Sequence, residues 1–354
     1  MFKKLHLFSL LFLGSSLLSL ANSPLVVDNT QDKFFILKED KIDILVDYEK
    51  RLNFADVVKL PGHFRKIPDK WINKDRKYIF ERGNNAAYWI RFTIENRSEA
   101  HKHWLIEFLD FNVEKVDLYI PNGDGTYQHH QAGSAYNFLF RPIRHKNFEF
   151  AIPYSPKAMV CYVRVEPGIS NVFAAELKSY ESFIAYSVTE YYLLGLFYGF
   201  VLLMGIYNLI LYMNMRERQY LFYVFYVICV GLSSMCHDGT GFQYLWPDLP
   251  RWNENILTCS LFGMVLWTLF YSKWFLNIRF HAPLTNKIID IMIVAVLGLL
   301  VFIQTFSWDY SVFLIPAAGI PFLLIYITGI RIFRQGFRPA WYFLMAFTFF
   351  FLGF

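Results

Sequence analysis

Tyr88-Trp89-Ile90-Arg91-Phe92-Thr93-Ile94-Glu95-Asn96 decides how the first half of this chain is read. Successive side chains of a strand point to opposite faces, so Ile90, Phe92 and Ile94 share one side and Trp89, Arg91, Thr93 and Glu95 the other. That is a half-buried strand. Working outward, the alternation recurs. Trp104, Ile106 and Phe108 oppose Leu105, Glu107 and Leu109; Val116, Leu118 and Ile120 oppose Asp117 and Tyr119. Phe148, Phe150 and Ile152 alternate too, as do Cys161, Val163 and Val165 against Tyr162, Arg164 and Glu166. Phe34 to Leu37 and Ile42 to Val46 are earlier strand candidates, and Asn53 is placed to cap a short helix ending near Lys59. Pro121-Asn122-Gly123-Asp124-Gly125 is a turn, because glycine and asparagine accept positive φ. Many short alternating strands between turns predict an all-β, jelly-roll-like sandwich over residues 24–185.

The polar sides of these strands carry the candidate site. Trp89, Arg91, Glu107, Tyr119, Arg141 and Arg164 combine rings with charged hydrogen-bonding groups. A flat ring stacks on the apolar face of a sugar while charged forks take its hydroxyls, so this set predicts binding of a carbohydrate or another small molecule. The plainer alternative has Trp89 covering an edge of the core and Arg91 pairing with Glu107 or Glu95.

The flanking segments change character. Residues 1–23 begin with Lys3 and Lys4, continue through an apolar run from Leu5 to Leu13, and offer Ser19-Leu20-Ala21 as a cleavage site. This is the pattern of a secretory signal peptide, which would export the sandwich behind it. Residues 1–185 hold 25 Lys+Arg and 22 Asp+Glu, whereas residues 186–354 hold 9 and 7. The second half therefore reads as membrane. Apolar segments run over about 191–213, 219–237, 256–276, 288–307, 311–331 and 340–354, forming a helical multi-pass domain over 190–354. The loops on one side carry Arg216, Arg218, Lys273, Arg279, Lys287, Arg331, Arg334 and Arg338, and those on the other only Arg251. The positive-inside rule thus agrees with the signal peptide in placing the N-terminal domain outside. Tyr244, Trp246, Trp252, Trp308 and Tyr310 are placed as outer interface anchors, Gly195 and Gly199 as a close-packing pair, and Pro316 and Pro321 as kinks in the fifth segment. The last segment spans too little to cross a bilayer, which predicts a longer natural product.

Composition excludes several classes. The chain has 354 residues, is 55% hydrophobic and 18% charged, and carries a net charge of +5 without a basic block, so a nucleic-acid partner is not expected. Cys161, Cys229, Cys236 and Cys259 show no zinc-site spacing, only Cys161 lies in the first half, and neither metal nor cofactor is expected. No nucleophile elbow, zincin or phosphate-loop motif occurs, so no intrinsic catalysis is expected in residues 1–354. Charges sit at the ends of the apolar segments rather than at midplane, which makes a transporter or channel with an exported accessory domain the second choice.

The residues also resemble a known family, the bacterial seven-transmembrane receptors with diverse intracellular signalling modules. The likeness lies in Tyr88 to Asn96, Val116-Asp117-Leu118-Tyr119, Gly133, and Arg141-Pro142 leading into Phe148-Glu149-Phe150. It continues through Gly195, Tyr198-Gly199, Met204, Tyr207-Asn208-Leu209, Tyr220 to Tyr223, Gly241 and Gln243-Tyr244-Leu245-Trp246-Pro247. The resemblance implies a bacterial inner-membrane receptor with an extracytoplasmic jelly-roll sensor, similar to carbohydrate-binding modules, and seven helices. It also implies a cytoplasmic signalling module in cis or trans, such as a histidine kinase, a cyclase or a phosphatase. Receptors of this kind would act as homodimers in the bilayer.

Overall fold

The computed structural model describes residues 24–28, 32–35, 41–68, 71, 78–79, 86–98, 103–110, 112–155, 157–168, 172–250, 252–306, 308 and 310–353. The expected signal peptide, and Ile36 and Leu37 of the expected first strand, lie outside them. The chain forms two units, Met1–Glu190 with Phe242–Pro250, and Tyr191–Gly241 with Arg251–Phe354.

In the first unit, β1 (Leu25–Val27), β2 (Lys33–Phe35) and β3 (Ile42–Asp47) precede a short helix, α1 (Phe54–Val58). Then come β4 (Arg65–Lys66), β5 (Tyr78–Ile79), β6 (Ala87–Asn96), β7 (Trp104–Phe108), β8 (Lys115–Pro121) and β9 (Tyr127–Ala132). β10 (Phe148–Ile152), β11 (Met159–Glu166), β12 (Val172–Phe173) and β13 (Ala175–Ser179) complete the set. One sheet is ordered β4-β3-β6-β11-β8-β9, with β1 parallel to the end of β6. The second is ordered β10-β7-β13-β2, and β5 with β12 makes a separate ribbon.

The core lies between the two larger sheets. Ile90, Phe92, Leu118 and Val163 come from the first, and Ile106, Phe108, Phe148, Phe150 and Leu177 from the second. All of these except Leu177, whose strand is not among those expected from the sequence, are inward positions of the sequence alternation. Each buried phenylalanine contributes on the order of 2 kcal/mol. α1 forms where expected: Asn53 Oδ1 accepts from the Asp56 N–H at 3.0 Å, and Asp56 Oδ2 accepts from the Asn53 N–H at 3.2 Å. This reciprocal cap satisfies two orphan donors of a helix too short to stand alone. Val57 anchors it in a smaller apolar cluster with Phe64, Trp89 and Tyr162.

The second unit is helical. α2 (Tyr180–Met215) supplies it from Tyr191 onward, followed by α3 (Arg218–Asp238), the start of a short α4 (Thr240–Tyr244) whose residues from Phe242 on belong to the first unit, α5 (Trp252–Phe275) and a short α6 (Ile278–His281). α7 (Pro283–Phe306), α8 (Ser311–Arg334) and α9 (Ala340–Gly353) complete it. Five of these helices, α2, α3, α5, α7 and α8, are long and apolar enough to cross a membrane, and α9 is a shorter apolar helix. The six apolar segments of the sequence thus become six helices. α8 continues through both Pro316 and Pro321. Of the expected anchors, Tyr244, Trp252 and Trp308 are exposed, whereas Trp246 is buried.

The close approach of helices differs from the expected one. A Cβ at Gly195 or Gly199 would meet nothing within 4 Å among the described residues, so these glycines mark no packing seam here. A Cβ on Gly263 of α5 would lie 2.7 Å from Cys229 Sγ on α3. Gly263→Ala is therefore expected to cost about 1–3 kcal/mol by overpacking. Thermal unfolding in detergent should show the loss and its recovery in Gly263→Ala/Cys229→Ala; no recovery would remove this contact as the cause.

Candidate functional site

The outer face of the first sheet is built by register. Asp43, Arg91, Tyr162, Tyr119 and His129 lie in one row across β3, β6, β11, β8 and β9. Leu45, Trp89, Arg164, Asp117 and Gln131 form the next. Four of the six candidate residues, Trp89, Arg91, Tyr119 and Arg164, therefore share this face.

Their charges are paired. Arg91 Nη2 donates to Asp43 Oδ2 at 2.7 Å, and its guanidinium stands 4.6 Å over the Phe64 ring. The pairing of Arg91 with Glu107 or Glu95 does not occur. Asp43 stands directly opposite Arg91 in the ladder, Glu107 belongs to the other sheet, and Glu95 takes Arg97 at 2.7 Å. Arg164 Nη1 donates to Glu166 Oε1 at 2.5 Å and lies 3.6 Å from Asp117. Burial alone would raise the Glu166 pKa, but Arg164 and Lys50 outweigh it and hold the carboxyl below its usual range.

The rings of this face form a stack. Phe54 of α1 lies on Tyr119 at 4.1 Å and 5°, and Tyr119 lies on His129 at 4.5 Å and 2°. Burial, assisted by the Asp117 charge, pushes the Tyr119 phenol up to about 12. Trp89 sits beneath, 0% exposed, with Arg164 6.0 Å above its ring. Its Nε1–H finds no acceptor among the described residues. Trp89 is thus part of the floor, and removing it would cost stability as well as any contact with a ligand.

Glu107 and Arg141 lie elsewhere, with the second sheet. Glu149 of β10, Glu107 of β7 and Glu176 of β13 stand directly opposite one another in adjacent strands. All three are buried, at 1%, 0% and 3% exposure. Like charges facing across strands repel, so this row needs compensation. Lys178 supplies part of it by an ion pair with Glu107 and another with Glu176 at 3.0 Å. Lys33 reaches Glu176 at 3.0 Å, and Asn147 Nδ2 donates to Glu107 Oε1 at 2.7 Å.

Glu149 has a different partner. Its Oε1 lies 2.5 Å from His145 Nδ1. Burial holds the imidazole down to about 4, and burial with the nearby Glu107 charge raises Glu149 well above the usual carboxylate range. Burial thus disfavours charge on both members of the pair. Arg141 positions the loop that carries His145. Its Nη1 donates to the carbonyls of His145 at 2.9 Å, Lys146 at 2.6 Å and Asn147 at 3.2 Å. Its guanidinium lies 4.4 Å from the Phe138 and Phe148 ring centres.

Alternation alone could place Glu176 and Lys178 on one side of β13, and Glu149 on one side of β10. That these strands flank β7 depends on long-range pairing.

Two further segments join this unit. The first turns of α2 bring Phe183 against the His145 ring at 5.1 Å, Tyr186 beneath Lys178 at 4.3 Å, and Glu190 onto Lys146 at 2.9 Å. Residues 242–250 also belong to it. The Phe138 N–H donates to the Pro247 carbonyl at 3.0 Å, Asn137 Nδ2 to Asp248 Oδ1 at 2.6 Å, and Phe242 meets the Phe138 ring edge-on at 5.7 Å.

A two-sheet β domain ahead of a series of membrane-length helices defines a membrane protein with a folded extramembrane domain. Residues 190–354 match the family model described as 7TM diverse intracellular signalling, and residues 39–179 the model described as 7TMR-DISM extracellular 2. The chain belongs to the 7TMR-DISM family, which gives it a receptor-like signalling role in the membrane with an extracellular domain. No curated protein matches the chain. Among solved structures, the crystal structure of a GH31 α-xylosidase from Xanthomonas citri matches 43% of this chain at 11% identity, with a TM-score of 0.19. This chain spans only 18% of that enzyme, and the likeness bears on neither fold nor activity.

Proposed function

We propose that the chain is the sensing and relay portion of an inner-membrane receptor, with its sandwich outside the cytoplasm. The sandwich binds an extracytoplasmic carbohydrate, and the bound state is passed through the helices to a cytoplasmic signalling module in cis or trans. The observation that carries the relay is the make-up of the sandwich unit. It includes the first turns of α2 and residues 242–250, which lie in sequence between α3 and α5. A ligand that favours one arrangement of this unit therefore has three chain connections through which to act, after Glu190, before Phe242 and after Pro250, and it acts only by its difference in affinity for the two arrangements.

The carbohydrate reading is supported by the face carrying Tyr119, His129, Arg91 and Arg164. Stacked rings lie there beside charged hydrogen-bonding groups, and Trp89 offers a buried N–H beneath them. The test is titration of the full chain in detergent with a panel of soluble oligosaccharides. Saturable binding is expected, weakened at least tenfold in Arg164→Gln and in Tyr119→Ala. Absence of saturable binding to any sugar, or equal affinity in both variants, would overturn this assignment.

A further inference from the structure

We propose that Glu107, His145 and Glu149 form a binding site for a divalent first-row transition-metal ion, with Zn²⁺ as the ion that suits the donors best. One ligand atom from each residue lies within 4.8 Å of the others, and all three residues are buried. The set is one imidazole nitrogen and two carboxylates. Hard ions such as Mg²⁺ and Ca²⁺ favour all-oxygen shells, whereas an imidazole beside carboxylates suits zinc.

Two observations beyond the cluster itself point to a ligand. The first is an unpartnered group. Glu149 is 1% exposed, and its Oε2 has no hydrogen-bond partner among the described residues. The Oδ1 of Asn147, buried beside Glu107, likewise has none. Buried polar atoms of this kind are rare in folded proteins, and each calls for an explanation.

The second observation is the distribution of charge along the carboxylate row. Lys178 serves Glu107 and Glu176, and Lys33 serves Glu176. At the Glu149 end the direct ion-pair partner among the described residues is the His145 ring, while Arg141, Lys178 and Lys146 act on Glu149 only from farther away. A divalent ion between His145 Nδ1 and the carboxylates of Glu149 and Glu107 would put positive charge in direct contact with Glu149, which forms no ion pair with a lysine or arginine among the described residues. Any proton carried by the ligand atoms is released to solvent as the metal–nitrogen and metal–oxygen bonds form, with no change in oxidation state.

The surroundings also suit a metal-bound histidine. The other ring nitrogen, His145 Nε2, faces Glu190 Oε2 at 4.0 Å. At that distance the two are not hydrogen-bonded, but an outer carboxylate that closes onto the far nitrogen of a ligating imidazole fixes its tautomer and orientation. Arg141 holds the loop from which the ring projects. A bound ion would thus gather β7, β10 and the first turns of α2 around one point.

The test uses the full chain in detergent, stripped with a chelator and then titrated with Zn²⁺ alone. About one tightly held Zn²⁺ per chain is expected by elemental analysis after gel filtration, with a raised unfolding temperature. His145→Gln and Glu149→Gln, both close in size to the native residues, should weaken binding by on the order of 100-fold or more. Glu190→Gln should weaken it by about 10–100-fold while keeping the stoichiometry. Co²⁺ in place of zinc should give visible absorption bands that are absent from His145→Gln. Failure of the wild-type chain to bind Zn²⁺ saturably overturns the proposal, whatever the variants do. So does wild-type affinity in both ligand variants, which would move the binding to another histidine such as His129.

Discussion

Replacing Lys178 with alanine is expected to destabilise the sandwich by about 3–5 kcal/mol, the usual effect of removing one partner from a buried ion pair. Lys178 is 3% exposed and is the only buried lysine within reach of both Glu107 and Glu176 among the described residues. Without it, two adjacent buried carboxylates lose their shared cation while a third, Glu149, stands in the same row. Burial works against the charge on Lys178, but Glu107 and Glu176 outweigh it and raise its pKa. The stabilisation is therefore complete below the ordinary lysine range and is lost as pH rises through the raised folded value. Glu107→Gln in the Lys178→Ala background should restore part of the loss, with a coupling on the order of 1–3 kcal/mol. Thermal unfolding of the full chain in detergent, read by tryptophan fluorescence, measures both. A loss under about 1 kcal/mol would mean that these carboxylates are already neutral or differently paired.

Gly133→Ala is expected to be comparably damaging for an unrelated reason. Gly133 follows β9 with φ +147°, a conformation nearly reserved for glycine. A Cβ there would lie 2.2 Å from the Glu114 carbonyl oxygen and 2.8 Å from Lys115 Cα. Both obstacles are backbone, so no side-chain rotation relieves them. The next residues are tied to the same strand entrance: the Ser134 N–H donates to the Val113 carbonyl at 2.8 Å, and the Ala135 N–H to the Glu114 carbonyl at 3.1 Å. Accommodating a methyl group means breaking these bonds or shifting the start of β8. A loss of more than about 3 kcal/mol is expected. Gly123→Ala makes the contrast, since its Cβ would meet nothing within 4 Å and only the strain of its φ, +88°, is added. Equal losses in the two variants, measured by the same thermal unfolding, would rule out the backbone clash as the main cause of the damage.

The amino-acid sequence by itself determined which residues face the core of the sandwich and where the membrane-length helices run. Both follow from local periodicity. Ile90, Phe92 and Ile94 must turn together to one side of a strand, and 23 uncharged residues from Tyr191 to Met213 have few other destinations. The cap of α1 was legible for the same reason, because Asn53 and Asp56 are close along the chain.

What only the tertiary structure decided is which polar residues meet. Trp89, Arg91, Glu107, Tyr119, Arg141 and Arg164 share a chemical character, but β7 lies in one sheet and β6, β8 and β11 in the other. Glu107 therefore meets Glu149, Glu176 and Lys178 rather than Arg91. Alternation assigns a side chain to a face of its own strand and says nothing about the neighbouring strand. That pairing is set by burial over the whole sandwich, which places residues as far apart as Glu107 and Lys178 in direct contact.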